Sequence, residues 1–122
     1  MKEIFFFDTY ALIKLIEGEP SYERYENSEI VICCLNLIEF DYHFIKEGWK
    51  GRASLFQYLK GFCVPIDDET IQAATEWRYE NRKKNISYAD AVSYCLAKKH
   101  KIKFLTGDQA FRDITANVEF VK

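Results

Sequence analysis

What this chain lacks narrows its function before any motif is read. It has no excess of positive charge: 17 Lys and Arg against 19 Asp and Glu leave a net charge of −2. A protein that binds nucleic acid mainly by releasing counterions is usually basic. A generic DNA-binding module is therefore disfavoured, and any nucleic-acid contact must use a local basic patch or the positive charge of a bound metal. Paired cysteines are also missing. Cys33, Cys34, Cys63 and Cys95 form no C-x-x-C motif and lie in apolar segments, which reads as reduced, mostly buried thiols, with zinc or redox chemistry the lesser reading. Long apolar runs are absent: the start, MKEIFFFD, is too short for a signal peptide and nothing approaches membrane-spanning length, so a cytoplasmic protein is expected. His43 and His100 stand alone, and neither is assigned to catalysis. No repeat, low-complexity tract or linker divides the chain, and 1–122 reads as a single domain.

What is present is apolar and aromatic. Hydrophobic residues make up 48% and aromatics 16% of 122 residues, enough for one domain that buries roughly two-thirds of its extended-chain surface. Residues 3–7 are a nearly uninterrupted apolar run, as in a strand buried on both faces of a parallel sheet, and Asp8 ends it. Residues 9–17 set Ala11, Leu12, Leu15 and Ile16 on one helical face before Gly18. Residues 30–34 read as a second strand. Asn36 is the candidate cap of the next helix, with Glu39 at the capping-box position. Residues 54–60 end a further helix, and 62–66 form a third strand that tolerates Pro65 near its end. Asp67 or Asp68 can cap a long helix to about Lys84, with Ile71, Ala74 and Trp77 inward.

The stretch 87–108, SYADAVSYCLAKKHKIKFLTGD, reads as helix, tight connection, strand and terminal acid. Ser87 caps, Asp90 stands at the capping-box position, and Tyr88, Ala91, Val92, Cys95 and Leu96 form an apolar stripe. Residues 102–106 are β-prone and Gly107-Asp108 breaks them. Residues 118–121 are a candidate edge strand. Alternating strands and helices predict an α/β fold with a mainly parallel sheet. In such sheets ligands bind beyond the carboxyl ends of the strands.

Four carboxylates fall at that edge: Asp8 and Asp108 directly after strands, Glu39 and Asp90 in first turns of helices. Each alone has a plain structural explanation as a cap or capping-box partner, worth about 0.5–2 kcal/mol. Together they repel and desolvate unless a cation compensates them. Hard oxygen ligands select Mg²⁺ or Mn²⁺ over zinc, and a carboxylate-held divalent ion can activate water against a phosphodiester.

In these motifs the chain resembles the PIN-domain ribonucleases, the family that includes the VapC toxins of toxin–antitoxin pairs. The first acid matches Asp8 in IFFFDTYALIKL, the second Glu39 in LNLIEF, the third Asp90 in ISYADAVSYCLAKK and the fourth Asp108 in FLTGDQAF. The resemblance covers nearly the whole chain. It implies a three-layer α/β/α sandwich with strand order 3-2-1-4-5, and a metal-dependent endoribonuclease whose catalytic and metal-binding residues are Asp8, Glu39, Asp90 and Asp108. It also implies Mg²⁺ or Mn²⁺, an RNA substrate, a homodimer and an antitoxin whose peptide covers the acidic groove. Thr106 matches a supporting hydroxyl before the fourth acid; Thr9 is either a similar support or an ordinary helix-start hydroxyl. The chain departs from some relatives at Ala110, where a further acid would stand, so two ions are not implied. Asp113 is near enough in sequence to substitute, and Asp41 is left out as pointing to another side of its helix.

Arg78, Arg82, Lys83 and Lys84 crowd the segment before Ser87. They either hold RNA phosphates or serve as ordinary helix C-terminal cations. Two other readings stand beside the nuclease. One is a PIN-like module that binds RNA or protein without cutting, which would have no need of four converging acids. The other is a phospho-accepting receiver domain, which Phe7 disfavours by occupying the position of that family's second acid.

Overall fold

The computed structural model describes residues 2–122. Its centre is a four-stranded, all-parallel sheet in which β1 (Ile4–Phe7) and β3 (Lys103–Thr106) are the inner strands. β2 (Glu29–Val31) flanks β1, and β4 (Val118–Phe120) flanks β3. The expected third strand over 62–66 shrinks to one parallel bridge, Ile32 with Cys63, on the outer side of β2. Phe62 and Val64 exchange backbone hydrogen bonds with Ile32, and the pairing stops there because the next residue in register, Cys34, is already the first residue of a helix. The four strands keep the neighbours expected of them, but the outermost strand of the expected five-stranded order is reduced to this bridge.

Period-2 alternation divides the sheet between two cores. Phe5, Phe7 and Leu105 face one side, where they pack with Leu12 of α1 (Thr9–Ile16), Leu37, Phe40 and Phe44 of α2 (Cys34–Glu47) and Leu59 of α3 (Arg52–Lys60). Phe6 and Phe104 face the other. There they meet Ala74 of α4 (Asp68–Glu80), Tyr94, Leu96 and Ala97 of α5 (Tyr88–Lys99), and Phe111. Consecutive residues of one strand thus bury into opposite layers, which is why the strands read as continuous apolar runs. The architecture is the expected three-layer α/β/α sandwich.

Several local expectations change. α2 begins at Cys34, three residues earlier than a cap at Asn36 would allow. Cys33 is the cap, and the Asn36 side chain sits inside the first turn accepting the Cys33 N–H at 2.9 Å, so Glu39 lies in the second turn. α4 stops at Glu80, and Arg82–Lys84 form a separate 3₁₀ turn. Ile71 and Tyr88, expected inward, are 48% and 63% exposed; the inner face of α5 is instead Ala91, Tyr94, Leu96 and Ala97, with Ser93. Cys34 is exposed, Cys33 is buried, and none of the four thiols is paired. Among the described residues, no helix is long and apolar enough to cross a membrane.

Candidate functional site

The sequence places Asp8 and Asp108 just past β1 and β3, and those strands are neighbours. The two acids therefore leave the sheet side by side at its carboxyl edge. Asp8 extends the ladder by donating its N–H to the Leu105 carbonyl at 3.1 Å. Its Oδ1 then caps α1 by accepting the Ala11 N–H at 2.7 Å. Thr106, fully buried, joins the two acids: its hydroxyl donates to Asp8 Oδ2 and accepts the Asp108 N–H at 3.0 Å. Asp108 Oδ1 caps the short turn that follows, accepting from Ala110 N–H at 3.0 Å. Gly107 makes the step between Thr106 and Asp108 possible, because a Cβ there would collide with the Tyr10 ring and the Val121 carbonyl.

The remaining two acids arrive on helices. Ser87 caps α5 by accepting the Asp90 N–H at 3.0 Å. Glu39 is not a capping-box partner, since Asn36 is not the cap; its Oε1 accepts the Thr9 hydroxyl at 2.5 Å. Thr9 thus supports the second acid from α1, beyond being a helix-start hydroxyl. Below this level Asn36 Nδ2 donates to Ser93 Oγ at 3.1 Å, both side chains buried. Asn36 lies one turn before Glu39 and Ser93 one turn after Asp90, so this bond fixes the two acid-bearing helices to each other. Capping accounts for Oδ1 of Asp8 and of Asp108, and the cap Ser87 also hydrogen-bonds the Asp90 carboxylate, but Glu39 takes no part in a cap.

All four acids line one open cleft of ≈ 570 Å³, with Thr9, Tyr10, Ile13, Ile38, Tyr42, His43 and Lys46. Burial pushes the Asp8 carboxyl up to about 8, against the hydrogen bonds from Thr106 and Ala11 and with the charges of Asp90 and Asp108 adding to it. Asp90 is pushed up to about 7 by burial and by the charges of Asp108 and Glu39. Both carboxyls are thereby biased towards their protonated forms, and a positive charge in the cleft would reverse that bias. No Lys or Arg supplies that charge: among the described residues, none of the four acids is in an ion pair.

Oxygen donors, mutual repulsion and no protein counter-ion are what a hard divalent cation requires. Among the described residues no three His, Cys, Asp or Glu side chains converge as a ready-made ligand cage. Mg²⁺ does not need one, since it is held by one or two carboxylates and keeps several of its waters. The donor set fits such an ion.

The other expected residues fall elsewhere. Arg78 donates to the Ile86 carbonyl at 2.8 Å and lies 4.0 Å over the Tyr88 ring, and Arg82 folds back on Tyr79. Lys83 and Lys84 are exposed on the 3₁₀ turn. None of these four lines the acidic cleft. Asp41 is held in a two-pronged pair with Arg52, away from it, and Asp113 is exposed outside it. The cation that does line the cleft is Lys46, and with it come His43 and Tyr42. Sequence reading passed over Lys46, which looks like any C-terminal lysine of a helix; it left His43 out of catalysis and took Tyr42 for core packing or an interface anchor. The available signal was the spacing Glu39, His43, Lys46, which places all three on one helical face.

Residues 5–117 match the PIN domain family. A comparison with curated proteins gives no match. Among solved structures, the chain is similar to one in a toxin–antitoxin complex from Klebsiella pneumoniae, at a TM-score of 0.72 and 21% identity over 91% of this chain and 92% of that one. It is also similar to a chain of VapBC2 from Rickettsia felis bound to a promoter DNA fragment, at a TM-score of 0.69 and 20% identity over 98% and 99%.

Proposed function

This chain belongs to the PIN-domain family, and from that premise and the cleft we propose that it is a metal-dependent endoribonuclease, the toxin of a type II toxin–antitoxin pair. The observation that carries the reading is the set of four carboxylates on one cleft, none of them in an ion pair among the described residues. A module that only bound RNA or protein would gain nothing from so much unbalanced negative charge.

In this reading Asp8, Glu39, Asp90 and Asp108 would hold Mg²⁺ or Mn²⁺, one or two of them directly and the others through its waters. When bound, the ion supplies an activated water and stabilises charge on the phosphoryl group. The chain's own contribution is orientation. Thr106 fixes the Asp8 carboxylate and the Asp108 backbone at once, and Thr9 fixes Glu39; both are positioning residues. Asp8 and Asp90 would ligate such an ion only in their ionised forms.

A protein antitoxin is the proposed partner, supported by the two solved relatives, which are both toxin–antitoxin assemblies. Exposed apolar side chains on α2 (Ile38, Ile45) and α4 (Ile71, Tyr79) offer surface for an antitoxin and for a second copy in a homodimer. Four unpaired thiols, one of them exposed, suit a cytoplasmic setting. The test is incubation of purified protein with mixed tRNA and single-stranded RNA in Mn²⁺, Mg²⁺ or chelator. Cutting is expected with either ion, none with chelator, and none in folded Asp8→Asn or Asp108→Asn. RNA left intact in both ions contradicts the reading and favours the non-catalytic PIN-like binding module.

A further inference from the structure

Beyond the acids, the cleft has a second wall of different chemistry. α2 runs along it, contributing Glu39 near the other carboxylates and then Tyr42, His43 and Lys46. The rise of an α-helix puts Lys46 roughly 10 Å along the axis from Glu39. Tyr42 is 69% exposed although it is a large aromatic. His43 lies between them but braces the helix: its Nε2 is 3.8 Å from Glu17 and its ring packs edge-on against Trp49. Among the described residues Lys46 is in no ion pair, although it borders a strongly acidic cleft.

Resting on the nuclease reading above, we propose that Tyr42 and Lys46 form the subsite for the nucleotide next to the cleaved bond. Tyr42 stacks on its base and Lys46 pairs with its phosphate. The two side chains, four residues apart on one helical face, offer a flat aromatic surface and a cation at adjacent positions. Stacking on a tyrosine needs a base whose face is free, and sequence-tolerant stacking of this kind is how single strands are held. A phosphate at Lys46 also gives a polyanion an attractive foothold beside four negative charges. A peptide partner would use the exposed apolar area but gains nothing from a free lysine set beside the acids. The substrate class is therefore RNA with an unpaired nucleotide flanking the cut, and an intact duplex is a poor substrate.

The test compares the full-length parent with Tyr42→Ala, Tyr42→Phe and Lys46→Gln on a fluorescent unstructured RNA and on the same RNA annealed to its complement. Both side chains are exposed, so the variants should fold as the parent does. kcat and KM are measured in Mn²⁺. Binding is followed by anisotropy over a salt series, with the same changes made in Asp108→Asn so that nothing is cut. Tyr42→Ala should raise KM for the single strand about tenfold with kcat little changed, and Tyr42→Phe should restore it. Lys46→Gln should reduce the slope of log affinity against log salt by about 0.7 to 1. A parent that cuts, with variants that cut and bind equally well, overturns the subsite and leaves the nuclease standing; this includes the case in which Tyr42→Ala loses only a protein partner. A parent that binds but never cuts, with both variants weakened, overturns the nuclease and supports the subsite. A parent that neither binds nor cuts overturns both.

Discussion

Asp8 shows how one residue serves the fold and the site together. One of its oxygens caps α1, the other takes the Thr106 hydroxyl, and its carboxyl is 1% exposed with Asp90 and Asp108 close by. Its ionisation is therefore penalised in the folded state, with its pKa near 8 against an ordinary 3.8, and Asp90 follows near 7. The sign follows from linkage: the folded state binds more protons than the unfolded one between those values, so stability falls as pH rises. In chelator, thermal unfolding should show the contribution of these two acids fully present near about pH 4 and lost progressively towards about pH 8, by an amount on the order of a few kcal/mol. Asp8→Asn should flatten that profile and raise the melting temperature at the alkaline end. A parent whose stability is level over this range would contradict the account. Mn²⁺ should reverse the trend, because only the ionised carboxylates bind it. Calorimetric titrations in buffers of different ionisation enthalpy should register proton release and tighter binding at higher pH.

At the scale of elements, the cleft is made where α2 and α5 meet the ends of β1 and β3. The Asn36–Ser93 hydrogen bond holds the two helices in register beneath Glu39 and Asp90. Asn36→Ala leaves Ser93 and the Cys33 N–H without that partner in a buried site, and should cost about 1–3 kcal/mol in denaturant unfolding. It should also weaken Mn²⁺ binding, since Glu39 and Asp90 lose their common support. Unchanged Mn²⁺ affinity in a destabilised variant would show the bond to be structural alone.

The four acids were legible in the sequence because strand ends and helix starts in a parallel sheet share one edge. The layers were legible because Phe5, Phe6 and Phe7 can only be buried on two faces. The start of α2 was not legible: Cys33 is a poor cap on general preference, and the Asn36 side chain satisfies its amide from within the helix. The third strand reads as apolar and β-prone, but its neighbour turns into α2 at Cys34 and leaves only Ile32 to pair with it. Charge was the least legible feature. Arg78 and Arg82 are spent on local carbonyls and rings, whereas Lys46 reaches the cleft by helical phase alone.

For the whole molecule, a net charge of −2 is modest, but the acids are gathered on one side of the sheet edge with Lys46 as the lysine or arginine lining their cleft. RNA approach should therefore depend on divalent cation even where chemistry is blocked. Binding of unstructured RNA by Asp108→Asn is expected to strengthen several-fold when Mg²⁺ is added at constant ionic strength, read by anisotropy. Monovalent salt should have the opposite effect. Binding that is indifferent to Mg²⁺ would mean the acids face away from the strand.

The most direct test of the central claim, that these four carboxylates act as one metal-dependent site, is the rate of RNA cleavage in Mn²⁺ by a set of charge-removing variants. Glu39→Gln, Asp90→Asn and Asp108→Asn are compared with Asp41→Asn, whose carboxylate sits on the same helix as Glu39 but is paired with Arg52. The account predicts a loss of about a hundredfold or more in each of the first three and a rate within about threefold of the parent for Asp41→Asn. Equal cutting by all four variants would contradict it.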